Sequence, residues 1–220
     1  KIKFKDLDGD GRITENDRTV IGNTNPKIQG GMGLSGQYKN FDFSCNFTFM
    51  LDFDVNNATA YALSCSKDNK QTFLNVLSKF NNGWQYNDFD GSLTGTKGDI
   101  LYKLYYVDDC VNIYKKANAG RTLWNPTDVT KNLTHSYFIE DGSFLRCSDI
   151  TVGYTLPKSV LKKIGIEKAR FYLSASNLFI ITGYSGYDPE VDVQTGLTCG
   201  MDYNRYPRSR TFTFGTNITF

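Results

Sequence analysis

Phe41-Asp42-Phe43-Ser44-Cys45-Asn46-Phe47-Thr48-Phe49 alternates without a break. Phe, Phe, Cys, Phe and Phe hold the odd positions, with Asp, Ser, Asn and Thr between them. Successive side chains of a β-strand point to opposite faces, so the stretch predicts a strand with one aromatic and one polar face. Just upstream, Ile28 to Tyr38 carries Ile, Gly, Met, Leu, Gly and Tyr at even positions, with Gln, Gly, Gly, Ser and Gln between them. Tyr38-Lys39-Asn40 joins the two runs as a tight turn.

The same period recurs downstream. Ile150, Val152, Tyr154 and Leu156 alternate with Thr151, Gly153 and Thr155. Phe171, Leu173 and Ala175 oppose Arg170, Tyr172 and Ser174, and Phe212, Phe214, Ile218 and Phe220 oppose Thr211, Thr213, Asn217 and Thr219. Lys1–Lys5 is read as the end of a sixth strand. The links between strands alternate in length. Tyr38–Asn40 is short, and so is Pro157–Glu167, where Ser159–Lys163 reads as one helical turn stopped by Gly165. The links from about 52 to 136 and from about 184 to 210 are long. An antiparallel meander built this way gathers its short turns at one end and its long loops at the other, as outer-membrane barrels do.

A sandwich of amphipathic strands shares the alternation, because it too buries one face. Two features favour a barrel. Bulky aromatics stand near strand ends (Tyr38, Phe41, Tyr154, Phe220), and the opposite faces are polar and glycine-rich, like the wall of a wet or plugged lumen. Composition agrees. The 220 residues include 16 Phe, 14 Tyr and 20 Gly but 5 Pro, a bias toward strands and turns. Mean hydropathy is −0.41 and no apolar run suits a membrane helix, which leaves strand-built membrane proteins open.

Several function classes fall away. A formal charge of +2 spread over mixed-sign loops offers no basic stripe, so nucleic acid is not an expected partner. His135 is the only histidine; it sits in a polar stretch, reads as a solvated loop residue, and has no G-x-S-x-G nearby. Gly30-Gly31-Met32-Gly33 lies inside a strand pattern, so it is no phosphate loop. Asp188 and Glu190 are acids two apart in a tyrosine-rich loop, which is ordinary and a poor basis for glycoside chemistry. The chain reads as no enzyme. Five cysteines without a C-x-x-C pair suggest neither zinc nor a dense disulfide framework. Cys65, Cys110 and Cys199 fall in long loops where they could bond, whereas Cys45 shares the face of the neighbouring phenylalanines and is expected as a free thiol.

One local motif carries metal chemistry. Asp6-Leu7-Asp8-Gly9-Asp10-Gly11-Arg12-Ile13-Thr14-Glu15-Asn16-Asp17 sets carboxylates at loop positions 1, 3, 5 and 12, glycine at 6 and a backbone carbonyl, that of Arg12, at 7. A hard cation that takes about six to eight oxygens around a sharp turn suits this spacing, so Asp6, Asp8, Asp10, Arg12 and Asp17 are candidate ligands of a structural Ca2+. Asp17 stands where a longer Glu would reach bidentate coordination more easily, and flanking helices are not evident. Ile13 is expected to pin the loop to what lies beneath it.

The sequence closes on Thr213-Phe214-Gly215-Thr216-Asn217-Ile218-Thr219-Phe220, an amphipathic strand with a terminal aromatic. It is similar to the last strand of outer-membrane barrels, where a terminal Phe serves as an assembly signal.

Four stretches together resemble the C-terminal region of SusC/RagA-type TonB-linked outer-membrane proteins of Bacteroidetes. They are Phe4–Gly11 with Asp17–Asn23; Ile139–Arg146 with Ile150–Pro157; Asn177–Phe179 with Gly186–Val191; and Tyr206-Pro207 with Arg210–Gly215. They run in family order and cover nearly everything outside about 52–136. The resemblance implies an all-β fold: about six antiparallel strands forming the C-terminal portion of a large transmembrane β-barrel of about 22 strands. Residues 1–220 would be that portion, with extracellular loops at about 6–26, 52–136 and 184–210. The plug, the TonB-contacting segment and a signal peptide have no counterpart in these 220 residues, so the stretch would be a fragment of the whole protein, or its remaining strands would be in another chain. The implied function is import of oligosaccharides or peptides across the outer membrane. A SusD-like surface lipoprotein would cap the barrel, and TonB, acting through the N-terminal part, would use the inner-membrane proton gradient to shift the plug. Outer-membrane lipid would surround the strands. Trp84, Tyr86, Trp124, Tyr203 and Tyr206 would lie in outward loops. The alternative on the residues alone is a soluble calcium-stabilised β-domain acting as an adhesin or binding module.

Overall fold

The structure is a computed structural model that describes residues 4–64, 77–84, 115, 118–125, 135–162, 165–191, 199–203 and 205–220. It divides into two compact units, Lys1–Thr19 with Ala60–Thr134, and Val20–Thr59 with His135–Phe220.

The second unit holds a five-stranded antiparallel sheet in the order β1-β2-β5-β6-β7, where β1 is Ile28–Tyr38, β2 Phe41–Leu51, β5 Phe144–Thr155, β6 Lys168–Thr182 and β7 Thr211–Thr219. Two short strands between β2 and β5, β3 (Asp54–Asn56) and β4 (Ile139–Asp141), pair with each other. Helix α1 spans Ala58–Ala62, and α2 spans Lys158–Leu161. The β1–β2 turn forms as expected: Tyr38 pairs with Phe41, and Lys39 adopts a φ of 54°. Between β5 and β6, α2 is followed by Gly165 at a φ of 70°. Of the expected sixth strand, Lys1–Lys3 lie outside the described residues, and Phe4 and Lys5 are in no strand.

Register assigns the faces. Tyr38, Phe41, Tyr154 and Phe171 stand in one row; Gly36, Phe43, Val152, Leu173 and Phe214 in the next; Leu34, Cys45, Ile150, Ala175 and Phe212 in a third. All share one aromatic-aliphatic face, and much of it is bare: Phe214 is 71% exposed, Phe212 65% and Leu173 54%. Phe43 and Phe49 lay their rings over Gly36 and Gly30 of β1, where a Cβ would collide with them.

The strands run further than their alternation showed. Asn46 pairs with Asp149 but Phe47 with Cys147, so Ser148 is an extra residue in β5. On the other side Asp149 faces Ser176 and Cys147 faces Phe179, with Asn177 at a φ of 53°. This bulge moves the aromatic face of β5 from even positions (Ile150, Val152, Tyr154) to odd ones (Leu145, Cys147).

The core sits on the polar face, at the end from which β2 exits. Phe53, Val55, Phe144 and Tyr184 are buried together, with Met50, Ile180 and Val191 against them. Met50, Phe144 and Ile180 belong to the face opposite Phe43 and Leu173, so the polar face turns apolar here. The β3–β4 ribbon and the start of the β6–β7 link supply the rest of this cluster. The long link after β2 therefore has structure of its own: β3, α1, β4 and 3-10 turns at Ser78–Asn82 and Ser136–Phe138.

Candidate functional site

Asp6, Asp8 and Asp10 each place a carboxylate oxygen within 4.8 Å of the others, in the unit formed by Lys1–Thr19 and Ala60–Thr134. The loop is wound by its own backbone. Asp6 accepts from the N–H groups of Gly9 (2.7 Å) and Gly11 (2.8 Å), and Asp10 from that of Arg12 (2.7 Å). Gly9 and Gly11 hold φ values of 77° and 81°, which other residues adopt only with strain. Asp17 is outside the trio. Its oxygens accept from Leu7 N–H and Thr14 N–H, both at 2.7 Å, and cross-brace the loop. These Thr14 and Leu7 amides hold its carboxyl below the usual range. The three clustered carboxylates suit a hard oxygen-seeking cation. Ile13 is 53% exposed, so the expected pin under the loop is not seen among the described residues.

In the other unit, the polar face of the sheet carries a wall of small and amide side chains with two ionic fixtures. Toward the short turns, Arg170 donates from Nε to Asp42 Oδ1 (2.9 Å) and from Nη2 to Oδ2 (2.5 Å), across Gly153, whose lack of a side chain leaves them room. This is a bidentate pair that lies flat on the wall. Gly215 likewise lies under the ring of Tyr172.

At the opposite end, Arg146 is buried, 4% exposed. Its Nη2 donates to Asp188 Oδ1 at 2.6 Å, and its Nε faces Glu190 Oε2 at 3.3 Å without hydrogen-bond geometry. Arg208 reaches the other oxygen of Glu190 (2.7 Å), and Arg205 reaches its backbone carbonyl (2.8 Å). The acids two apart are thus a clamp for the link after β6, engaged by arginines. Further anchors hold the same link. Glu140 accepts from Ser185 N–H, Ser185 Oγ and Asn57 Nδ2 at 2.8, 2.8 and 3.1 Å. Tyr184 donates to buried Asp202 at 2.7 Å, and burial pushes the Tyr184 phenol well above its ordinary pKa. Asn56 pairs with Met201, so Gly200–Asp202 lies along β3.

The Val20–Asn23 motif has a structural explanation. Asn23 and Asp54 exchange hydrogen bonds (2.7 Å each), and a Cβ on Gly22 would strike Ile139 and Asp54.

His135 is buried rather than solvated. It packs 5.0 Å from the Phe138 ring in a 3-10 turn, and burial lowers its pKa. Trp124 is also buried, 5.1 Å from Phe80, so it packs its own loop and offers no outward surface. Trp84 is 36% exposed, while Tyr203 and Tyr206 are well exposed. Tyr86, Cys65 and Cys110 lie outside the described residues. Cys45, expected as a free thiol, carries no disulfide in this structure, and its Sγ lies 3.7 Å from that of Cys147, a neighbour hidden in sequence by the Ser148 bulge.

No family model matches the chain. It is 30% identical over 223 residues to TonB-dependent receptor P3 of Formosa agariphila, covering 99% of this chain and 19% of that protein. It is also 30% identical over 221 residues to TonB-dependent receptor SusC of Bacteroides thetaiotaomicron, covering 99% and 17%. Among solved structures, the RagAB peptide importer in the "closed-closed" state superposes with a TM-score of 0.66 at 22% identity, over 98% of this chain and 20% of that one. The chain belongs to the SusC/RagA family of TonB-dependent receptors.

The chain spans about a fifth of the length of the relatives it matches. These receptors are outer-membrane β-barrels, and the five-stranded sheet is part of such a wall. The bare aromatic face is then the lipid-facing side, with no second sheet packed on it among the described residues, and the soluble alternative is set aside. The polar face looks into the barrel. The relatives are receptors and transporters rather than enzymes, in keeping with acids that are tied into arginine clamps.

Proposed function

We propose that this chain forms the C-terminal part of the barrel of a TonB-dependent importer that takes up glycans or peptides together with a SusD-like surface lipoprotein. The supporting observation is the two-sided wall: a continuous lipid-facing aromatic surface backed by small polar side chains and pinned by the Asp42–Arg170 pair. Such a wall presents small polar side chains to a plug or cargo, with Asp42 and Arg170 neutralising each other. The links at about 6–26, 52–136 and 184–210 would be extracellular. There the exposed Tyr187, Tyr203 and Tyr206 would offer flat rings to a sugar or to the lid protein. TonB would act through the N-terminal part of the whole receptor.

The test is to express the whole receptor with and without its neighbouring lipoprotein. Outer-membrane residence as a band that shifts on boiling, with uptake of labelled oligosaccharides or peptides that needs both proteins and TonB, supports the reading. Uptake that persists without TonB, or a soluble product that needs no detergent, sinks it.

The acidic loop supports a second assignment. We propose that Asp6, Asp8 and Asp10, with the Arg12 carbonyl and Asp17, hold a structural Ca2+; the support is that the three aspartates bring carboxylate oxygens within 4.8 Å of one another, a spacing that one hard cation spans. Calorimetric titration of the receptor with Ca2+ should show one site that D8N/D10N removes. Equal heats in the variant would refute the site.

A further inference from the structure

We propose that Cys45 and Cys147 are the two halves of a disulfide staple that joins β2 to β5, closed during passage through the periplasm. Both thiols are on the lipid-facing side of adjacent strands. Phe47 pairs with Cys147 and Cys45 with Ile150, which makes the two cysteines diagonal neighbours, and the extra Ser148 draws them together. Their sulfurs stand 3.7 Å apart, within a side-chain rotation of the bonded distance of about 2.0 Å. Cys147 is buried and Cys45 partly so.

The position of the pair matters as much as its geometry. The β1–β2 seam is joined by a two-residue turn, β5–β6 by residues 156–167 and β6–β7 by residues 183–210. The β2–β5 seam is different, since its cysteines are 102 positions apart and β3, β4 and the whole first long link lie between them. Bringing β2 and β5 together costs more chain entropy than any other pairing in the sheet. A cross-link that closes so long a loop limits the unfolded chain most.

The chemistry balances simply. Two thiols lose two protons and two electrons as one S–S bond forms. The electrons reduce the disulfide of a periplasmic thiol oxidase, which leaves as a dithiol. Once in the membrane the bond faces hydrocarbon, where neither water-soluble reductants nor thiolates reach it.

The test uses the intact receptor isolated from outer membranes. It is denatured in N-ethylmaleimide without reductant, digested and mapped by mass spectrometry. The expected result is a Cys45 peptide joined to a Cys147 peptide, released by dithiothreitol, in receptor whose native barrel resists dithiothreitol applied before denaturation. A strain lacking the periplasmic thiol oxidase should yield both cysteines alkylated. Two maleimide-labelled cysteines in the wild-type strain, or a bond from either one to Cys65, Cys110 or Cys199, would overturn the proposal. No variant is needed, so a folding defect cannot obscure the outcome.

Discussion

Arg146 shows how one side chain ties the wall to its loops. It is buried against Asp188 and within reach of Glu190, and it also lies 5.5 Å from the Phe144 ring. Removing one partner of a buried ion pair leaves the other charge desolvated, a cost of about 3–5 kcal/mol. We therefore expect Arg146→Met to loosen residues 184–191 and expose them to limited proteolysis, while Arg208→Met, at the exposed end of the network, changes cleavage little. Equal protection of both variants would remove Arg146 from this role. His135 gives a pH dependence. Burial lowers its pKa, so the unfolded chain takes up the proton first as pH falls below about 6.5. The stability of the Ser136–Asp141 segment is thus fully present above that pH and declines as pH falls from there to about pH 5. Hydrogen exchange across that range should show it, and His135→Phe should flatten the profile. Neither role was legible in the sequence. Asp188 and Glu190 were visible as two nearby acids, but their partner is 42 positions from Asp188. The polar neighbours of His135 hid the aromatic pocket that Tyr137 and Phe138 supply.

The strands were legible wherever alternation is unbroken. Phe41–Phe49 and Ile28–Tyr38 fall within β2 and β1, and Ile150–Leu156 falls within β5 except for Leu156, because one face meets lipid and the other does not, and that contrast is written with period two. The first six residues of β5 were not read as strand, because Ser148 resets the period there and Leu145 and Cys147 then occupy the face that even residues held. Deleting Ser148 should leave every face in place, Leu145 and Cys147 toward lipid and Arg146 toward the lumen, because Cys147 then alternates directly with Asp149. The receptor should still reach the heat-modifiable form; failure to reach it would mean that Asn177 and Leu178, left unmatched opposite β5, break the wall. A charged residue on the lipid face is a gentler probe. At the bilayer midplane it costs about 2–4 kcal/mol. Leu173→Arg should lower the stability of a refolded receptor by about that amount in a denaturant titration, and Ser174→Arg, one position along on the lumen face, by far less. The β3–β4 ribbon escaped the sequence altogether, since three-residue strands are too short to carry a period.

At the scale of the molecule, family membership was readable because the motifs are structural contacts. Gly22 and Asn23 dock on β3, Arg146 clamps Asp188 and Glu190, and Gly215 makes room for Tyr172. Cargo choice was not readable, because it belongs to loops and partners beyond these contacts. The acidic loop adds a prediction for the whole receptor. If Ca2+ is its strut, chelation should lower the unfolding temperature of the wild type but not of D8N/D10N, which calorimetry with and without EGTA would register.

The first long link leaves and rejoins the sheet at neighbouring points. Met50 pairs with Phe144, the amide of Asp52 donates to Ser143 Oγ at 2.9 Å, and β3 zips against β4 just beyond. A segment whose two ends are fastened side by side behaves as a cartridge in a fixed socket. Its contents can lengthen, shorten or be exchanged among relatives without the wall registering the change. Evolution could then revise what the receptor meets outside the cell while leaving untouched the strands that hold it in the membrane.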